Sequence, residues 1–279
     1  MTTPTQPAAP SAAPTKPVPT VGTIIPSTKT GHLIGITGLP GTGKSHFARS
    51  CRDVGKTAVA LTDPKETTFY GDAGVEVFAD LDWRPHLNQW NASAFNALLR
   101  WVDTQAKSDA RFVVVDTASE ISDLVMHEVL KAHGTDNPRD LEYGRAYTAH
   151  DGQFKTLITE LRRLVLRGKT VVCTFHGQMK ELEGAGDAKK AKAMNGELEW
   201  SFDEQMLPAM NTSFRQRVHS AFGIWLYTKP IGFGPARRYT VTALPDNVRP
   251  AKHSVTFKAG VNPGMLENTM GALLGALAE

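Results

Sequence analysis

Gly38-Leu39-Pro40-Gly41-Thr42-Gly43-Lys44-Ser45 follows the apolar run Leu33-Ile34-Gly35-Ile36-Thr37 and precedes His46-Phe47-Ala48-Arg49-Ser50. A short buried strand, a glycine-rich loop and the start of a helix, in that order, form the context in which this octapeptide works as a phosphate cradle. Gly38, Gly41 and Gly43 let the backbone curl without Cβ clashes, so that successive N–H groups can converge on phosphate oxygens. Lys44 is placed to reach the β- and γ-phosphates, the Ser45 hydroxyl to hold Mg²⁺, and the helix beginning near His46 adds its positive end. The pattern implies a site for a nucleoside triphosphate, and Leu39, Pro40 and Thr42 belong to the same binding loop.

Downstream, strands and helices alternate. Thr57 to Thr62 reads as a strand, and Trp90 to Lys107 as a helix with Phe95, Leu98, Leu99 and Val102 at helical spacing. Arg111 to Asp116 is apolar on both faces, as a central parallel strand requires. Asp151 to Arg167 is an amphipathic helix with Asp151 as its expected N-cap and Gly168 as its stop. Thr170 to Phe175 forms a further strand, with others expected at Ala221–Tyr227 and Arg238–Ala243. The alternation argues for a three-layer α/β domain around a mostly parallel sheet. Its expected span is 30–260. It follows a disordered Pro/Thr/Ala-rich arm over 1–29, and a short helical tail over 261–279 comes after it.

Composition narrows the setting. Hydrophobic residues make up 41% of the 279, enough for a sizeable core, and the net charge of +3 is too mild to demand a polyanionic partner. Cys51 and Cys173 are the only cysteines and show no metal-type spacing, so a reducing cytoplasm is the expected location. No apolar run reaches membrane-spanning length, and no membrane association is expected.

Asp116 closes its strand where ligands collect in open α/β sheets, and a carboxylate there is the expected anchor for Mg²⁺. The next residue is Thr117 rather than Glu, so a water-activating base must come from elsewhere. Glu66 is the first choice, with Asp63 and Glu120 as alternatives. His176, directly after its strand, is placed to hydrogen-bond a γ-phosphate and signal its loss. Lys180, Lys189, Lys190 and Lys192 make the following stretch basic and a candidate contact for a nucleic-acid backbone. Arg237 and Arg238, in a turn between two strands, are candidates for a finger reaching a neighbouring subunit's site. Trp83, Trp90 and Trp101 are expected to pack the core, with one covering the nucleotide base.

The succession Gly-Leu-Pro-Gly-Thr-Gly-Lys-Ser, Val-Val-Val-Asp-Thr, Glu142-Tyr143-Gly144-Arg145 and Val-Val-Cys-Thr-Phe-His resembles the phage-type RecA-like P-loop nucleotide-binding proteins, over about residues 31 to 254. The resemblance implies a RecA-like core that uses ATP and Mg²⁺. It further implies an ATPase of the single-strand annealing and recombination group, working on single-stranded DNA as a homo-oligomeric ring or filament, alongside a single-strand-binding protein. Carried over by position, Lys44 and Ser45 hold phosphate and Mg²⁺, Asp116 the metal, Glu66 the water, and His176 the sensor role. Two other readings stay open: a non-catalytic ATP switch or loader acting on a protein partner, and a nucleotide kinase.

Overall fold

The computed structural model describes residues 31–63, 67–70, 75–78, 83–84, 89–90, 94–181, 204–208, 210, 212–232, 238–245, 249 and 251–278. The expected N-terminal arm therefore lies outside the described residues, as do Glu66, Lys189, Lys190, Lys192 and Arg237.

The strands run β1 Leu33–Gly38, β2 Thr57–Leu61, β3 Val75–Phe78, β4 Trp83–Arg84, β5 Gln89–Trp90, β6 Phe112–Asp116, β7 Thr170–Glu181, β8 Glu204–Pro208, β9 Ile224–Ile231, β10 Arg238–Thr242, β11 Lys252–His253 and β12 Leu266–Glu267. The helices are α1 Lys44–Arg49, α2 Thr67–Tyr70, α3 Ala94–Gln105, α4 Ala118–Ala132, α5 Arg145–Leu166, α6 Thr212–Ala221 and α7 Met270–Ala276. The main path of the central sheet is β12-β10-β9-β1-β7-β6-β2-β3, with β11 beside β9 and β8 beside β7. Strands β3, β2, β6, β7, β1 and β9 are parallel, and β10 and β12 finish the edge antiparallel.

Strand parity splits the core into two layers. Val113 and Val115 of β6, Val171 and Phe175 of β7 and Trp225 of β9 face one side, where they pack with α3, α4 and α5. Phe112, Val114, Val172, Ile34 and Ile36 face the other, against Phe47 of α1 and Met270 and Leu273 of α7. Helices on both faces of a sheet buried through its middle make the three-layer α/β architecture expected from the sequence. The C-terminal tail thus docks on its own domain. At the centre the Trp225 indole lies against Gly35, where an added Cβ would come within 2.6 Å of the ring. It also stacks on Phe175 with centroids 4.8 Å apart and donates to Thr37 Oγ1 at 3.1 Å.

Several boundaries differ from the expectation. The helix expected from Trp90 begins at Ala94, because Gln89–Trp90 pairs with Trp83–Arg84 in a small antiparallel ribbon. The helix expected from Asp151 begins at Arg145, so Asp151 is not its cap. Its carboxylate instead meets His150 at 3.2 Å and Arg217 at 3.7 Å. The first turns of α5 pack Ala146 with Val129 and Leu130 of α4 in a small separate cluster, a tertiary contact that periodicity alone does not reveal. Gly168, at φ 84°, does end the helix as expected. The strand expected from Ala221 starts at Ile224, and Ala221 closes α6. Trp101 is buried and stacked on Phe78 at 5.5 Å, which makes it a core residue.

Candidate functional site

The site forms where the parallel strands end. Gly41 and Gly43 take φ of 70° and 92°, the left-handed turns that bend the loop between β1 and α1. Thr42 ties the loop to itself, its hydroxyl donating to Leu39 O at 2.6 Å. Thr228 of β9 donates to Thr42 Oγ1 at 2.6 Å. The approach is so close that a Cβ at Gly38 would sit 1.8 Å from Thr228 Oγ1. From the far side Asn268 donates to Gly43 O at 2.8 Å, and the Tyr239 side chain lies 3.2 Å from where a Gly43 Cβ would be. The Lys44 side chain is buried and donates to Leu39 O at 3.0 Å. Ser45 is half-buried, whereas Pro40, Gly41 and His46 are exposed. The residues read from the sequence thus run from the end of β1 through a turn braced at Thr42 and Gly43 into the first turn of α1, which holds Lys44, Ser45 and His46.

Asp116 ends β6 one strand away from that loop, with β7 between them, and its carboxylate is buried. The Tyr70 hydroxyl donates to its Oδ2 at 2.7 Å, and Thr174 of β7 donates to its Oδ1. The Tyr70 oxygen also lies 3.5 Å from Ser45 O, so one side chain spans the carboxylate and the loop. A carboxylate and a hydroxyl suit Mg²⁺, which keeps most of its waters and takes its other ligands from substrate phosphates. Among the described residues no group of three or more His, Cys, Asp or Glu could hold a metal alone.

A second acidic group stands beside Asp116. Thr117 caps α4, accepting from Glu120 N at 3.3 Å, and this turns Glu120 back towards the strand ends. The His176 imidazole donates through Nε2 to Glu120 Oε1 at 3.3 Å, and the His176 amide donates to Ser119 Oγ at 3.0 Å. Thr62, at the end of β2, bonds Glu120 as well, and its hydroxyl accepts from Thr117 N at 3.0 Å. The His176 bond, seconded by Thr62, outweighs partial burial and holds the Glu120 carboxyl below the usual glutamate range. Asp63 is exposed one residue further on.

The remaining candidates are more scattered. Lys180 lies on the part of β7 that runs past the sheet and pairs with β8, opposite Gln205. Arg238 is exposed at the start of β10, next to Tyr239. Sequence reasoning missed Tyr70, Thr174, Thr228 and Asn268. Thr174 had a signal in strand register, since Val115 pairs with Cys173 and the following residues then stand side by side. Asn268 approaches from 225 positions away and had none.

A family model described as an AAA domain matches residues 30–204, well over half of the 279. Among solved structures, the flagellar accessory protein FlaH from Methanocaldococcus jannaschii is similar over 85% of this chain and 89% of its own, at 11% identity and a TM-score of 0.44. No curated protein matches. No described helix is long and apolar enough to cross a membrane.

Proposed function

The chain belongs to the AAA domain family, and from that premise we propose that it binds and hydrolyses ATP and couples the cycle to single-stranded DNA, as in recombination or annealing. The observation that carries the ATPase reading is the convergence of the braced phosphate loop, the buried Asp116 and the Glu120–His176 pair at one sheet edge. Mg²⁺, when bound, would supply charge neutralisation between the phosphates. Ser45 and Asp116 would hold it, the latter through water.

In this reading the loop amides and Lys44 bind the triphosphate. Glu120, ionised at neutral pH, accepts a proton from the attacking water. His176 orients Glu120 and senses the γ-phosphate. Because His176 lies in β7, and β7 runs on into its pairing with β8, loss of phosphate is transmitted along one strand to the basic segment containing Lys180, Lys189, Lys190 and Lys192. Glu66 remains the rival base. The sequence resemblance supports the DNA assignment, a homo-oligomeric assembly and a single-strand-binding protein beside it; the turn holding Arg237 and Arg238 supports a finger into a neighbour's site, and the sparse cysteines a cytoplasmic setting.

ATP hydrolysis by wild type and Lys44→Ala, with and without single-stranded DNA at low salt, tests the proposal. Stimulation by DNA that vanishes in the variant is expected. Turnover that depends on Lys44 and ignores DNA would sink the DNA half. One observation favours a second reading, a slow ATP switch acting on a protein partner: the residue after Asp116 is a threonine whose hydroxyl is engaged as a helix cap. Tight ATP binding with negligible turnover under all conditions would select it.

A further inference from the structure

Outside the nucleotide site, a groove of about 790 Å³ runs between α5 and α6. Lys155 and Arg162 line it from α5 and Arg217 from α6, all three exposed, with Thr159, Ser220 and the half-exposed ring of Tyr147 among them. Among the described lining residues Asp151 is the only acid. It is mostly covered and already answered by His150 and Arg217. Lys252 of β11 stands near enough to Arg162 for that guanidinium to depress its ammonium, in addition to the larger effect of burial.

Three exposed cations around one groove, with hydroxyls between them and a single, mostly covered acid that answers only Arg217 among them, form a surface built for a chain of anions. We propose that this groove binds the sugar-phosphate backbone of single-stranded DNA. The inference rests on the reading above that single-stranded DNA is the polymer acted on, and it gives the strand a track on described elements in addition to the basic segment after β7. From Tyr147 to Arg162 the groove follows α5 for about 22 Å at 1.5 Å per residue. Both helices run the same way: α5 ends beside Gly31 just before β1, and α6 ends beside the start of β9. The track therefore leads from the lower edge of the sheet towards the edge that carries the nucleotide site. Tyr147, at the upper end, offers a ring on which a base can stack. The hydroxyls and guanidinium groups read no sequence, so binding is expected to be indifferent to base order.

The test is fluorescence anisotropy of labelled dT20 against the full-length protein over a series of salt concentrations. Three cations neutralising three phosphates predict a slope of log K on log salt near −2.1, at about 0.7 per phosphate on a single strand. Lys155→Ala/Arg162→Ala is expected to make the slope shallower by about 1.4. If the two lines converge at 1 M salt, that is about 25-fold weaker binding at 0.1 M. Arg163→Ala/Arg167→Ala removes the same charge from the adjacent face of α5, outside the groove, and is expected to leave the slope near wild type. Equal losses in both variants, or none in the first, overturn the groove while leaving DNA action intact. No binding of dT20 by wild type at low salt overturns the groove and the DNA reading together. Polyglutamate binding as tightly as dT20, with the same loss in the first variant, overturns the nucleic acid in favour of an acidic protein. Thermal unfolding and DNA-free ATP hydrolysis are expected to match wild type, since neither residue belongs to the nucleotide site.

Discussion

Glu120→Gln separates a working base from a structural acid, because the two roles differ in magnitude. The substitution keeps the length of the side chain and leaves the backbone amide free to reach Thr117 Oγ1, so the helix cap survives. It removes the negative charge that His176 and Thr62 address. The glutamate and histidine side chains remain 34% and 39% exposed, which puts their pairing in the range of surface contacts, at most about 1 kcal/mol. For a chain of this size that is a shift of about 2–4 °C in Tm. A general base, in contrast, contributes about 10²–10⁴ in rate, equivalent to about 3–5 kcal/mol of barrier. The expected result is a kcat lowered at least a hundredfold, ATP affinity within about threefold of wild type, and a Tm moved by no more than a few degrees. Single-turnover hydrolysis, ATP titration and calorimetry measure the three. A Glu120→Gln protein that keeps its kcat, next to a Glu66→Gln protein that loses it, refutes the assignment and gives the role to Glu66.

The same pair sets a pH dependence. Glu120 acts as a base only when ionised, and its carboxyl titrates below the ordinary glutamate value chiefly because of the His176 bond. The acid limb of kcat should therefore fall below the ordinary glutamate range in the wild type. In His176→Ala, burial is left opposed only by Thr62, the carboxyl titrates higher, and the limb should move up; an unmoved limb means the bond does not tune the base. The matching stability contribution is present above the unfolded-state value and is lost as pH falls through the lower folded one. Asn268→Ala removes the brace on Gly43 O and should weaken ATP binding about fivefold, the worth of one hydrogen bond of about 1 kcal/mol, with kcat little changed; unchanged affinity would show that the loop holds its turn alone. Cys51 and Cys173 are buried free thiols whose titration burial pushes far up. Neither should react with an alkylating reagent until the protein unfolds, and prompt labelling of native protein would contradict that packing.

The parts of the site that lie along one strand or loop were legible in the sequence, and those made by approach across the fold were not. The phosphate loop, Asp116 and His176 each sit at the end of an apolar run whose parity fixes where they point, so their convergence followed from a parallel sheet alone. Glu120 was visible only as a weaker candidate, because a Thr-x-x-Glu helix start reads first as a capping box. It takes the position of β7 beside β6 to bring His176 to it. Asp151 misled for a related reason. An aspartate ahead of an amphipathic run resembles a cap, but Arg145 to His150 were already helical through packing of Ala146 on α4, which outweighs local propensity. Tyr70 and Asn268 reach the loop from segments with no motif of their own, and local pattern carries no trace of such contacts.

The contact between the loop and β7 also decides whether nucleotide state can reach the β7–β8 pairing at all. Gly177 follows His176 and lies against the first loop glycine: an added Cβ would come within 2.9 Å of Gly38 C and 3.1 Å of Gly38 O, both backbone atoms. Neither can swing aside as a side chain would, so a methyl group must separate the strand from the loop by several tenths of an ångström. Overpacking of this kind costs about 1–3 kcal/mol, and here the strain falls on the element that cradles phosphate and the strand that carries His176. Gly177→Ala is therefore expected to weaken ATP binding by about tenfold or more and to reduce any DNA stimulation, with the sheet otherwise intact. Gly152→Ala is the control, since a Cβ there meets nothing within 4 Å and the site lies within α5. It should stabilise the chain by up to about 1 kcal/mol and leave ATP affinity and DNA-free hydrolysis alone. Wild-type ATP affinity and DNA response in Gly177→Ala would mean that the loop and β7 move independently, and the route from γ-phosphate to the β7–β8 pairing would have to run through α4 instead.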